Sequence, residues 1–238
     1  MSYDVWYAIP SASVERATAC FAKWKGMGYH TAALVDGDAP AAENADVIVR
    51  VPEWPGYYKS VRLLAHHLRD RALGAQMWGF TEPEPDIIVT GGDDMDPDPT
   101  CDAQSIATEF FGRFPDGFGV MQPTGDNLPG TDRICGSPWF GRGWLERSYG
   151  GEGPHHCGYH VWYGDEELHH VAQKLGVLWQ RPDLTQYHRH WMRHRKFGAR
   201  AKTDYQRRND GCWGDDKAIY LARREADWPG HEPLEATA

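Results

Sequence analysis

Short apolar runs alternate with helix-like stretches through the first hundred residues, and this alternation limits the fold more than any other feature of the chain. Tyr3 to Ile9, Tyr29 to Val35, Asp46 to Val51 and residues 86–90 read as strands. The first stops at Pro10-Ser11, the second at Asp36-Gly37-Asp38 and the last at Gly91-Gly92. Between the first two strands, Val14, Ala17, Phe21 and Trp24 recur at helical spacing, and Gly26 and Gly28 close that helix. After Pro55-Gly56, residues 57–73 form an amphipathic helix. Strands and helices in this order predict βαβ units: an α/β fold with a mostly parallel central sheet flanked by helices. Such sheets bind ligands beyond the carboxyl ends of their strands. Pro10-Ser11, Asp36 and the segment after residue 90 are therefore expected to converge on one crevice.

That last segment is chemically the densest. Ile87-Ile88-Val89 leads into two glycines, which allow a tight turn and close approach to a ligand, and then into Asp93, Asp94, Asp96 and Asp98, with Pro97 and Pro99 among them. Like charges crowded at a strand end repel unless a cation or solvent relieves them. Hard divalent ions take oxygen ligands of this kind and keep open positions for substrate phosphates. The pattern points to a metal-assisted site for a phosphorylated substrate. An acidic, proline-stiffened surface turn is the plainer alternative.

The second half is less regular. Phe118 to Gln122 reads as a strand, followed by a Gly/Pro/Asn loop from Pro123 to Arg133. Residues 136–154, rich in glycine and aromatics, read as a loop or lid over a site. Asp165 to Leu175 reads as a helix with an acid near its start and Gly176 at its end, and Val177 to Trp179 as a further strand. No repeat or linker divides the 238 residues, a length that easily buries a core.

A net charge of −9 argues against non-specific coating of nucleic acid. No apolar run approaches the length of a membrane span, so a soluble, cytoplasmic protein is expected. Five cysteines without CxxC spacing suit reduced thiols in that compartment. Eleven tryptophans and eleven tyrosines can stack on bases or sugar rings, or simply fill the core.

Three further groupings carry chemistry. In Tyr187-His188-Arg189-His190-Trp191, the two histidines point the same way if the segment is extended, and either can add a nitrogen ligand to a carboxylate metal site. From Arg189 to Arg208 there are eight Lys/Arg residues and one acid, Asp204, which suits a pyrophosphate clamp, a nucleic-acid backbone or a solvated helical face. In Trp162-Tyr163-Gly164-Asp165-Glu166-Glu167-Leu168, an acid at a helix start beside aromatics is either a cap or a general base. His155-His156-Cys157 with His160 lacks the second cysteine pair of a structural zinc site.

Taken together, these motifs resemble the GT-A class of nucleotide-sugar glycosyltransferases, in the style of the inverting family 2, over roughly residues 3–225. The resemblance implies a single GT-A type, Rossmann-like domain over 1–238, with a nucleotide-sugar-binding half at 1–99, an acceptor-binding and catalytic half at 100–225 and a tail at 226–238. It implies a DxD motif whose acids hold Mn2+ or Mg2+ against the donor diphosphate. Asp94-Met95-Asp96 satisfies the motif literally. Alignment on Pro97-Asp98-Pro99 instead sets Gly92-Asp93-Asp94 over it, and Asp94 is a ligand either way. His188, or His190, resembles the histidine that completes the metal site. Pro10, Ser11 and Asp36 would border the base and ribose, Asp93 would face the donor, and Lys59 or Arg62 would reach the base or phosphates. Asp165, with Glu166 as its neighbour, resembles the base that deprotonates the acceptor hydroxyl. A UDP-sugar is the favoured donor. The acceptor is a glycan or small-molecule hydroxyl, or a hydroxymethylated DNA base. A Mg-dependent nucleotidyltransferase is the second enzyme reading, although Tyr7 to Val14 lacks a glycine-rich basic phosphate loop. A non-catalytic sugar- or nucleic-acid-binding module is the third.

Overall fold

The structure is a computed structural model that describes residues 2–77, 84–126, 128–190, 193 and 204–235. Seven strands form one sheet: β1 (Val5–Pro10), β2 (His30–Asp36), β3 (Val47–Val51), β4 (Ile87–Val89), β6 (Val120–Pro123), β7 (Trp139–Gly141) and β8 (Leu178–Arg181). Their order across the sheet is β3-β2-β1-β4-β7-β6-β8, with β7 alone antiparallel to its neighbours. The expected α/β class and mostly parallel sheet are present. A small antiparallel ribbon pairs β5 (Met95–Asp96) with β9 (Tyr187–His188).

Strand alternation sets the layers. Val5, Tyr7 and Ile9 turn to one face, where they pack with Ala17, Cys20, Phe21 and Trp24 of α1 (Val14–Gly26) and Ile106 and Phe110 of α3 (Ala103–Arg113). Ala8, Ala32, Leu34 and Ile88 turn to the other, against Leu64, Ala65 and Leu68 of α2 (Tyr57–Met77). A parallel sheet covered on both faces explains why its strands are almost continuously apolar. A third cluster joins β6 and β7 to α4 (Arg142–Arg147), α5 (Gly164–Lys174) and α7 (Trp213–Glu225). The short α6 (Asp204–Gly211) precedes α7. Residues after α7 fold back: Trp228 is buried against His170, and the Leu234 N–H donates to the Arg147 carbonyl at 2.9 Å.

One expectation is overturned. The glycine-rich stretch 136–154 is not a lid but contains β7, inside the sheet between β4 and β6, α4 and a 3-10 turn at Ser148–Gly151. Its glycines serve close packing: a Cβ on Gly141 would lie 2.3 Å from the Gly117 carbonyl oxygen and 2.6 Å from the Phe110 ring. Among the described residues, no helix is long and apolar enough to cross a membrane.

Candidate active site

Because β1, β2 and β4 run parallel, their carboxyl ends share one edge of the sheet, and the chain leaves β4 there as the acidic turn. Four buried or half-buried side chains hold its backbone. Tyr7 OH donates to the Gly92 carbonyl at 2.6 Å, Trp24 Nε1 to the Met95 carbonyl at 3.0 Å, Cys20 Sγ to the same oxygen at 3.2 Å, and Tyr57 OH to the Gly91 carbonyl at 3.2 Å. Tyr7 stacks flat on Trp24 with ring centroids 3.8 Å apart, which fixes both donors. The turn has no room for a larger residue at 91, where a Cβ would come within 2.7 Å of Met95 Sδ and 2.9 Å of Tyr7 OH.

With its carbonyls fixed, the turn directs its four acids to different partners. Asp93 accepts from Ser11 Oγ at 2.7 Å and lies 3.3 Å from the Arg16 guanidinium. Burial still pushes its carboxyl above the ordinary value, and the Asp94 charge adds to that. Asp94 Oδ1 lies 3.3 Å from His188 Nε2. Burial opposes the Asp94 charge, but the His188 contact outweighs it and the carboxyl falls below its usual value. The His188 and His190 rings meet at 4.8 Å, and burial pushes His190 down to about 4, leaving a neutral imidazole. Asp96 is held by two cations, Lys23 at 2.8 Å and Arg189 at 3.2 Å. Asp98 caps its own loop, accepting from Thr100 N and Thr185 N at 2.7 Å each. The sequence treats these acids as equals; the fold gives each a different task.

Pro10, Ser11 and Asp36 do converge. With Ala12, Leu34, Trp54 and Arg208 they line a cleft of about 150 Å3 at the ends of β1 and β2. Ser11 lines the cleft and also bonds Asp93, so the cleft and the acidic turn are continuous. Lys59 stands exposed on α2 and does not line the cleft, and Arg62 is ion-paired with Glu152. Most of the basic segment lies outside the described residues. Of its described members, Arg189 is paired with Asp96 and Arg193 with Asp126.

Asp165 stands in the first turn of α5 and is not among the residues that line the cleft. Its Oδ1 accepts from Tyr58 OH at 3.2 Å and from Glu166 N at 3.1 Å, and burial together with the Glu166 charge raises its carboxyl. The preceding loop is held by Asp216 of α7, whose buried carboxylate accepts from the N–H groups of His160, Val161 and Trp162, each at 2.8 Å. Tyr163 follows with a left-handed backbone (φ 68°) and stacks on Tyr220 at 5.0 Å. Glu167, in contrast, is fully buried, with Arg223 at 2.7 and 2.8 Å and Tyr159 OH at 2.7 Å. Tyr57 reaches the acidic turn and Tyr58 reaches Asp165, so two consecutive residues at the start of α2 link that turn to the start of α5. His155 is packed between Tyr58 and Phe140. Sequence reasoning missed Trp54, Tyr57, Tyr58 and Asp216. The Tyr-Tyr pair at a helix start was the available signal, but its partners are 34 and 107 residues away.

No protein-family model matches the chain, and no curated protein matches it. Among solved structures it is similar to the catalytic domain of Drosophila beta1,4-galactosyltransferase 7 in complex with xylobiose. The identity is 14% and the TM-score 0.44, over 87% of this chain and 79% of that one. A mutant of the same Drosophila enzyme, in complex with manganese, UDP-Gal and xylobiose, gives 12% identity and a TM-score of 0.42 over 88% and 79%. At such distances the likeness assigns neither family nor chemistry, which have to come from the residues themselves.

Proposed function

We propose that this chain is a metal-dependent GT-A type glycosyltransferase acting as one domain, which moves a sugar from a nucleotide-sugar donor to an acceptor hydroxyl. The observation that carries this reading is the continuity at Ser11. One side chain lines the cleft of about 150 Å3, which holds an exposed residue, Arg208, and bonds the acidic turn that bears Asp94. In this reading Pro10, Ser11, Asp36 and Trp54 border the base and ribose, and Arg208 faces the phosphates.

Asp94 and His188 offer an oxygen and a nitrogen donor of the kind Mn2+ takes, with Mg2+ the harder alternative and His190 beside His188. Asp96 is a weaker ligand candidate, because Lys23 and Arg189 already neutralise it. Among the described residues no three His, Cys, Asp or Glu side chains are grouped to hold a metal, so a ligand or the donor phosphates would complete the shell. The ion, when bound, offsets negative charge on the departing nucleoside diphosphate. Asp165 acts as the base on the acceptor hydroxyl, with inversion at the sugar. Its raised affinity for a proton makes it a better acceptor than an ordinary aspartate.

A UDP-sugar is our preferred donor and a glycan or small-molecule hydroxyl our preferred acceptor. A DNA acceptor is less favoured, because Arg189 and Arg193 are occupied by acids of this chain. Five unpaired cysteines suit work in the cytoplasm. The test is a thermal-shift panel of nucleotide sugars with Mn2+ and then EDTA. A melting-point rise for one UDP-sugar that needs Mn2+ is expected. No shift with any nucleotide sugar, with or without metal, sinks the reading.

A further inference from the structure

We propose that Tyr58 is the positioning residue of Asp165: its single hydroxyl, bonded at once to the main chain and the side chain of that aspartate, fixes the direction in which the carboxylate faces the acceptor. The inference rests on the reading of Asp165 as the base. The Asp165 N–H donates to Tyr58 Oη at 3.0 Å, and Tyr58 OH donates to Asp165 Oδ1 at 3.2 Å. The hydroxyl is thus donor and acceptor to one residue 107 positions away. Oδ1 holds the Tyr58 proton and the Glu166 N–H, and among the described residues Oδ2 accepts no hydrogen bond, so it is the oxygen that would take an incoming hydroxyl proton.

The ring that carries this hydroxyl has little freedom. Tyr58 is 3% exposed, and its ring packs against His155 at 4.9 Å, Tyr57 at 5.1 Å and Tyr159 at 6.1 Å. Gly164 closes the last side, where a Cβ would lie 2.5 Å from the Tyr58 ring. Helix α5 therefore begins where a glycine lets Tyr58 pass beneath it. Locking a base by a packed neighbour is how a carboxylate is kept in productive geometry without reorganisation.

Among the described residues the groups facing Asp165 are few, so a change in its titration can be assigned. From α5 comes Glu166, which bonds Tyr220 and whose charge raises Asp165. From the loop before β7 comes Cys135, whose N–H donates to the Asp165 carbonyl at 3.0 Å and whose thiol is pushed well up by burial. From α2 come Tyr58 and Tyr57, and behind the Tyr58 ring lies His155, held neutral by burial at about 3. Tyr58 supplies the hydrogen bond that favours the ionised form of Asp165.

The experiment is Tyr58→Phe, which deletes one oxygen, with 13C NMR titration of the Asp165 carboxyl, assigned by difference from Asp165→Asn. UDP release from UDP-galactose with Mn2+ and xylobiose is followed in parallel across pH. In Y58F the Asp165 carboxyl is expected to titrate at higher pH than in the wild type. Turnover at neutral pH should fall on the order of ten-fold, with the acid limb of the profile moving the same way and donor KM changed less than about two-fold. Gly164→Ala, which displaces the ring without removing the hydroxyl, should shift the titration in the same direction. An Asp165 titration unchanged in both variants overturns the role of Tyr58, whatever the turnover. An Asp165→Asn enzyme with wild-type turnover overturns the base assignment and this inference with it.

Discussion

Asp94 and Asp165 are both partly buried carboxylates next to another acid, yet the fold pushes them in opposite directions. At the acidic turn each of these acids has a polar or charged partner: the His188 ring lies against Asp94, Arg16 against Asp93, and Lys23 with Arg189 against Asp96. At the start of α5 the only side-chain donor to Asp165 among the described residues is a neutral tyrosine, and the charge that acts on it, Glu166, is of the same sign. The Asp94 carboxyl is consequently lowered and the Asp165 carboxyl raised. A lowered acid stays ionised and suits a cation; a raised one accepts a proton readily and suits base work. Environment, rather than residue type, separates the two roles.

The largest expected effect lies on the raised side of this contrast. Asp165→Asn should cut sugar transfer by about 10²–10⁴-fold, the usual worth of a general base, while the circular-dichroism spectrum stays native. Transfer within a few-fold of wild type would remove the functional half of the comparison. The same helix carries its own internal contrast, because Glu167 is fully buried and paired with Arg223. Arg223→Ala strands that charge and should cost about 3–5 kcal/mol in urea unfolding. A loss below about 1 kcal/mol would mean that the pair is incidental to how α5 and α7 pack.

How much of this could be read from the chain follows the same division. The parallel half was legible because each element is contiguous in sequence: α1 was expected from Val14, and β2, β3 and α2 fall within a residue or so of their expected starts. The convergence of Pro10, Ser11, Asp36 and the acidic turn follows from parallel strands alone. What stayed hidden depends on partners far apart in sequence. The fates of Asp94 and Asp96 depend on His188 and Arg189, and that of Asp165 on Tyr58. Helices α3 and α7 and strand β7 were missed. In β7, Trp139-Phe140-Gly141 reads as loop chemistry until Phe110 is seen occupying the space beside the glycine.

On the lowered side, Asp94→Asn should abolish the Mn2+-dependent rise in melting temperature with the donor sugar. In the wild type that rise corresponds to roughly 2–3 kcal/mol at a hundred-fold excess over Kd. A rise that persists in Asp94→Asn but vanishes in Asp96→Asn would transfer the ligand role to Asp96.

The smallest effect is the most diagnostic, because it needs no substrate. A carboxyl raised on folding contributes stability that is complete below its unfolded value and lost as pH rises through its folded one. At pH 7 an ionised Asp165 is therefore a burden, and Asp165→Asn should melt slightly higher than wild type, by about 1–3 °C, with the gain fading below about pH 4. Asp94 is the reverse case: its contribution is present above the unfolded value and lost as pH falls through the lowered one. In EDTA at pH 7, Asp94→Asn should melt lower, because the His188 contact then loses its charge. Two conservative replacements of the same residue type should thus move the melting temperature in opposite directions. Differential scanning fluorimetry of both variants side by side decides it, and shifts of the same sign would show that the two sites differ in sequence position but not in electrostatic design.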